Sequence, residues 1–307
     1  RESRIPNKID SRLRGNNKLI SLPPSPHPPL NFPYSSMFAR AETWWTIFKI
    51  CVEERLVYRG DFALGTLMRF LPIVTQIFLW TAVFASAGTA TIQGFTREDV
   101  VAYYLLTMLA RAFSSMPGLA SGLARQIREG EIKKFLIQPI DLISYLLLAR
   151  TAHKVVYYLI ATGPFALVFY LCRDYFHGWP PIEVFLAFVV SLLLSFLLGF
   201  YMEATMGMIS FWFLEVSSLL FVHMLFIFFF SGHMFPLEFL PDFWKSVIDY
   251  TPFPYLAYFP SAVFLGKVQG AVLVKGLVIE AAWTVGFIVL CRFSMQAGYR
   301  RYSGYGG

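Results

Sequence analysis

The chain has 307 residues, of which 56% are hydrophobic, 18% aromatic and only 15% charged, with a formal charge of +7. Soluble domains carry roughly 25% charged residues. This chain is too poor in charge to coat a water-facing surface of its size, and its mean hydropathy of +0.55 points to lipid as its solvent. The excess of cations accordingly reads as loops facing anionic headgroups rather than as a nucleic-acid surface. Cys51, Cys172 and Cys291 stand singly, with neither CxxC nor metal-ligand spacing, so no disulfide framework and no metal site is expected.

Residues 1–36 differ in character from the rest of the chain. They hold six Lys/Arg, two acids and the run Pro23-Pro24-Ser25-Pro26-His27-Pro28-Pro29. Such a basic, polyproline-like tail cannot pack a core. It also lacks the apolar stretch of a secretory signal. It reads either as a disordered extension or as sequence upstream of a start at Met37.

The remainder, residues 37–307, reads as one all-α polytopic membrane domain. A spanning helix needs about 20 mostly apolar residues, and six segments qualify: 62–87, 100–123, 146–172, 182–201, 216–235 and 271–291. The first has Arg69 near one end, where it can snorkel. The second is interrupted by Arg111 and Pro117. Lys/Arg counts orient the set. With the N-terminus inside, Arg40, Lys49, Arg55, Arg59, Arg125, Arg128, Lys133, Lys134, Arg150, Lys154, Arg292, Arg300 and Arg301 share the cytoplasmic side. The other side keeps only Arg97, Arg173, Lys245 and Lys267. That asymmetry predicts six crossings with both termini cytoplasmic, in a cell (inner or plasma) membrane.

Three segments between spans carry more information. Before the first span, Trp44, Trp45, Ile47, Phe48 and Val52 alternate with Glu42, Lys49, Glu53, Glu54 and Arg55, the pattern of an amphipathic interfacial helix. After the second comes RQIREGEIKKFLIQPID, Arg125 to Asp141, densely charged, broken at Gly130 and stopped at Gln138-Pro139. Before the sixth lies Ser231 to Gly266, with five prolines and many aromatics but no long apolar run. Short helices dipping into the outer leaflet fit it, provided protein or water covers their irregular backbone.

The search for chemistry is negative. There is no GxxxxGK[ST] loop to cradle phosphates, no HExxH and no Gly-x-Ser-x-Gly elbow, so no catalytic or metal-ligating residue is nominated. His223 and His233 read as hydrogen-bonded structural residues. Ionisable residues inside spans are costly and carry a functional expectation. Arg111 and Glu280 are the deepest, either paired with each other or facing a wet cavity or a partner subunit. Glu203 and Glu215 read as interfacial.

Taken together, six spans, an inner amphipathic helix, a charged turn after the second span and an outer helical hairpin before the sixth resemble the ABC-2 type permease fold. EGEIKKFLIQPIDLISYLL (Glu129 to Leu147) is similar to the Gly-Glu-Ile/Leu…Leu-x-x-Pro stretch after the second span of these permeases. The segment Ser231 to Gly266 is similar to their outer Ser-Gly…Pro-Phe…Pro…Gly hairpin. The ending RRYSGYGG resembles the Tyr-Ser-x-x-Gly-Gly terminus of one uncharacterised ABC-2 subgroup. The resemblance runs from Met37 to Gly307. It implies the membrane subunit of an ABC exporter, paired with a second permease subunit, identical or related. A separate ATP-binding subunit would bind ATP and magnesium, so the chain itself needs no cofactor. It further implies that Arg128, Glu129, Gly130, Glu131, Lys133 and Lys134 couple to that subunit. Tyr103, Tyr104, Arg111, Phe113, Met224, Phe226, Phe230 and Glu280 would border a pathway for a hydrophobic or amphipathic substrate. A carrier or channel working without ATP, or a lipid-modifying membrane enzyme, are the competing readings.

Overall fold

The computed structural model describes residues 37–57, 64–66, 68, 70–138, 140–176, 178–213 and 215–302. The Pro-rich tail, Arg59, Arg69, Pro139 and the terminal SGYGG lie outside the described residues. By its contacts the chain divides into two units, 1–45 and 46–307. Helix α1, Met37–Leu56, begins in the first. Within the second unit it buries Cys51 and half-buries Ile47, Phe48 and Val52, one stripe at helical spacing.

The rest of the second unit is helical: α2 (Leu71–Ala87), α3 (Arg97–Ser114), α4 (Leu119–Arg128), α5 (Lys133–Ile137), α6 (Leu142–Leu171), α7 (Ile182–Met208), α8 (Ser217–Phe230), α9 (Asp242–Asp249), α10 (Tyr258–Phe264) and α11 (Gly270–Arg301). Among the described residues, four stretches are long and apolar enough to cross a bilayer: Leu64–Ala87, Leu142–Leu171, Ile182–Phe211 and Gly270–Arg301. The protein interior covers 44% of the third stretch's apolar window but only 17%, 17% and 11% of the others. Helix α7 is therefore the central post, and it packs on α3, α4, α10 and α11. The outlying helices show lipid-type surfaces instead, with Phe78 on α2, Leu159 on α6 and Val272 on α11 all exposed.

The other two predicted spans are built differently. Residues 100–123 are two helices, α3 and α4, separated at Ser115–Gly118, where Gly118 takes φ 72°. Pro117 has no N–H with which to continue the ladder. The carbonyls freed at the break are taken by α6: Lys154 Nζ donates to Ala112 and Ser115, and Arg150 donates to Pro117 at 3.1 Å. Residues 216–235 yield a 14-residue helix, α8, that stops at Ser231.

Close approach at the centre depends on small residues. A Cβ on Gly199 of α7 would stand 2.1 Å from the Ser114 carbonyl oxygen. Ionic clasps tie both ends of the bundle. At one, Lys267 Nζ meets Asp99 Oδ2 at 2.8 Å, and Asp99 forms a capping box with Thr96 at the start of α3. At the other, Asp141 caps α6 through the Ser144 amide at 2.8 Å and pairs with Arg292 of α11 at 2.7 Å. We call these the Lys267 end and the Arg292 end.

Candidate functional site

The charged segment after α4 is an elbow at the Arg292 end. Gly130 takes φ 78°, a conformation L residues resist. That turn folds the chain back, and the Ile132 amide donates to the Gln126 carbonyl at 3.3 Å. Ile132 plugs the elbow into the core, 1% exposed, beside Leu123, Ile127 and Leu142. The charges stand outside that plug. Arg128, Glu129, Glu131 and Lys134 are exposed, and Lys133 is half-buried. Their mutual ties are loose: Glu131 to Lys134 at 3.6 Å, and Arg128 to Glu215, in the turn after α7, at 3.5 Å. Exposed pairs of that kind hold little energy. The six predicted coupling residues thus share one turn, whose backbone at Gly130 is buried while Arg128, Glu129, Glu131 and Lys134 face solvent.

The nominated pathway residues do not form one lining. Tyr103 is fully buried, and its hydroxyl donates to the Gly232 carbonyl. Tyr104, 6% exposed, lies with its ring 6.2 Å from His233. Phe113 stacks on Tyr158 of α6 at 4.3 Å. Met224 and Phe226 are exposed on α8, while Phe230 and Phe226 flank Phe253. The tyrosines of α3 therefore serve packing, and the residues of α8 present an open apolar face.

Arg111 and Glu280, raised from the sequence as a possible pair, have different neighbours. Glu280 is 0% exposed; one carboxylate oxygen accepts from Ser191 at 2.8 Å, and the other has no hydrogen-bond partner among the described residues. Arg111 donates to Ser114 at 3.2 Å and lies within electrostatic reach of Glu203, His223 and His233. Glu203 is half-buried: its carboxylate is 22% exposed and lies 3.8 Å from His223 Nε2, with Arg111 and Arg150 also in reach. An ionisable cluster contributed by α3, α6, α7 and α8 therefore sits where the α3–α4 helix breaks. Sequence reasoning missed Glu203, Arg150 and Lys154 as members. The i, i+4 spacing of Arg150 and Lys154 on one apolar helix was the available signal, since it puts both cations on one face.

Such a bundle defines a class: a multi-pass helical membrane protein with its charge gathered in an elbow at one end and a small ionisable cluster inside. The description "ABC-2 family transporter protein" matches residues 70–306, and the chain belongs to that family. It is the membrane-domain, permease-type component of an ABC transporter, a class that normally works with an ATP-binding subunit. A search of curated proteins finds no match.

Proposed function

We propose that the chain is half of the transmembrane pathway of an ATP-driven exporter, crossing the cell membrane six times with both termini cytoplasmic. A separate ATP-binding subunit docks on the elbow, and a second permease subunit, a copy or a relative, completes the pathway. The observation that carries this reading is the elbow itself, an exposed charged turn keyed into the core by Ile132. The elbow's exposed cations Arg125, Arg128 and Lys134 share the Arg292 end with Arg292 itself, the side that the Lys/Arg counts assign to the cytoplasm. In this reading α3 and α4 together form the second crossing, α8 the fifth, and the segment 231–266 an outer hairpin whose short helices return to the same face.

The elbow suits mechanical coupling. A push on the exposed charged side chains around Gly130 moves α4, and α4 is joined to α3 through the break that Lys154 and Arg150 cap from α6. Three helices then shift together as a rigid body. Helix α8, with Met224 and Phe226 exposed, offers the apolar surface along which a hydrophobic or amphipathic molecule passes. The test is to copurify the chain with the ATP-binding protein of the neighbouring reading frame. The double variant Arg128→Glu/Lys134→Glu should lose at least about tenfold of the permease-stimulated ATP hydrolysis, with an unchanged elution profile. Full stimulation by that variant would refute docking at the elbow.

A second reading draws on the Arg111–Glu203–His223 cluster, which suits a carrier driven by ions rather than ATP. Substrate flux in liposomes containing the chain alone would favour it.

A further inference from the structure

At the Lys267 end, away from the elbow and the ionisable cluster, a groove of about 660 Å³ lies between α9, the 3-10 turn Phe253–Leu256 and α11. Its lining includes two cations, Lys245 of α9 and Lys275 of α11, and neither has an ion-pair partner within 4 Å among the described residues. Asp249, the one acid on the lining, leaves a net positive charge there. Along the chain the apolar lining continues on both sides of Lys275, with Val268 and Val272 before it and the stripe Gly276, Ile279 and Trp283 after it at helical spacing. Gly276 lets the ring of Phe259 close the groove's side, since a Cβ there would lie 2.2 Å from that ring.

Dimensions separate possible guests. From Lys275 to Trp283 the stripe runs about 12 Å at 1.5 Å per residue. One leaflet of hydrocarbon is about 15 Å deep, half of a typical core. A soluble anion would use the lysines but not the stripe, and a neutral hydrophobe would leave Lys275 without a countercharge, since Asp249 lies in electrostatic reach of Lys245 alone. A molecule with a phosphate head and an acyl tail uses both, the charge being matched where lysines meet the membrane surface. We infer that this groove is a binding site for a phosphate-headed anionic amphiphile, its head on Lys245 and Lys275 and its tail along Ile279 and Trp283. Its placement in the outer leaflet rests on the proposed orientation; the site itself does not.

The probes are phosphatidylglycerol, phosphatidylcholine and inorganic phosphate, offered to the detergent-purified full chain and read by native mass spectrometry. Phosphatidylglycerol should be retained in preference to phosphatidylcholine, and inorganic phosphate should not displace it. Each of Lys245→Gln and Lys275→Gln should weaken retention about fivefold, taking roughly 1 kcal/mol per cation. Lys275→Arg should restore it. Ile279→Trp, which fills the tail channel, should weaken retention with both lysines intact. An equal loss in Arg173→Gln, an exposed cation at the same end but outside the groove, would reduce the effect to general surface charge and overturn the proposal. Displacement by inorganic phosphate would do the same. Two sources share this chemistry, a membrane lipid held in place or the transporter's own cargo. Retention through ATP turnover with the partner subunit marks the first, and ATP-dependent release the second. The elbow variant Arg128→Glu/Lys134→Glu, whose residues lie outside the groove, should retain phosphatidylglycerol as the unaltered chain does, so the groove and the elbow can fail separately.

Discussion

Two glycine-centred turns sit at opposite ends of the bundle and are built to opposite specifications. Gly130, at φ 78°, turns the elbow after α4; it is buried itself, but Arg128, Glu129, Glu131 and Lys134 beside it are exposed and charged. Gly232, at φ 73°, ends α8, and it is enclosed. Its carbonyl accepts from Tyr103, the neighbouring Ser231 carbonyl accepts from the Tyr258 amide at 2.9 Å, and Leu237 lies fully buried beneath. The same backbone device serves a locked corner in one place and an accessible handle in the other. A left-handed glycine says where the chain reverses; its surroundings decide whether the reversal holds the fold or meets another protein.

Substitution should separate the two. Gly232→Ala faces both a strained φ and a Cβ placed 2.7 Å from the Tyr258 Cβ and 2.8 Å from the Tyr103 hydroxyl. Strain and overpacking together should cost about 3 kcal/mol. In a fluorescence thermal-shift assay that is a fall in Tm of about 6–12 °C. Gly130→Ala bears the φ cost, about 1–2 kcal/mol, and a Tm fall of about 2–8 °C. Its larger effect should be on stimulated ATP hydrolysis. Equal Tm losses at the two glycines would erase the distinction between corner and handle.

The interior between the turns responds in the other direction. Glu280 is enclosed with one oxygen unpartnered among the described residues, and a buried carboxylate without a counter-ion is destabilising. Glu280→Gln keeps an acceptor for Ser191 and removes the ionisable group. Tm should rise by about 2–4 °C, an effect of about 1 kcal/mol. A fall instead would show that the carboxylate meets a cation brought by another chain.

The sequence made some of this legible and hid the rest for physical reasons. Four long helices announced themselves because continuous apolar runs need only local information, although α7 runs past the expected 201 to Met208. The apolar window closes at Glu203, yet the helix continues, with that carboxylate in electrostatic reach of Arg111 and Arg150 and 3.8 Å from His223 Nε2. Conversely the apolar run 216–235 outlasts α8, because Phe230 gives way to the Ser231-Gly232 corner held by Tyr103 and Tyr258. The elbow was readable as a charged turn with a glycine, whereas the ionisable cluster was not. Its members Arg111, Arg150, Glu203 and His223 come from four helices, and nothing local joins them. Lys154 was counted only as cytoplasmic charge, while its ammonium closes the break in α3.

The smallest effects probe the elbow's own boundary, where the rigid part ends. Asp141 belongs to the bundle: burial raises its carboxyl, but the Ser144 hydroxyl, Arg292 and the Ser144 amide outweigh that and hold it below the ordinary carboxylate range. Its folded value lies below its unfolded one, so its contribution is complete above the ordinary carboxylate range and is lost as pH falls through the folded value. Asp141→Asn should therefore lower Tm by a few degrees at neutral pH, and the two Tm curves should converge in acid; a constant gap would assign the loss to the cap alone. Ten residues earlier, Glu131 meets Lys134 at 3.6 Å with both side chains about half exposed. Glu131→Gln should leave Tm within about 1 °C, since exposed pairs contribute little. If that variant nevertheless weakens association with the ATP-binding subunit, the carboxylate acts outward, and the border between scaffold and docking surface falls between Asp141 and Glu131.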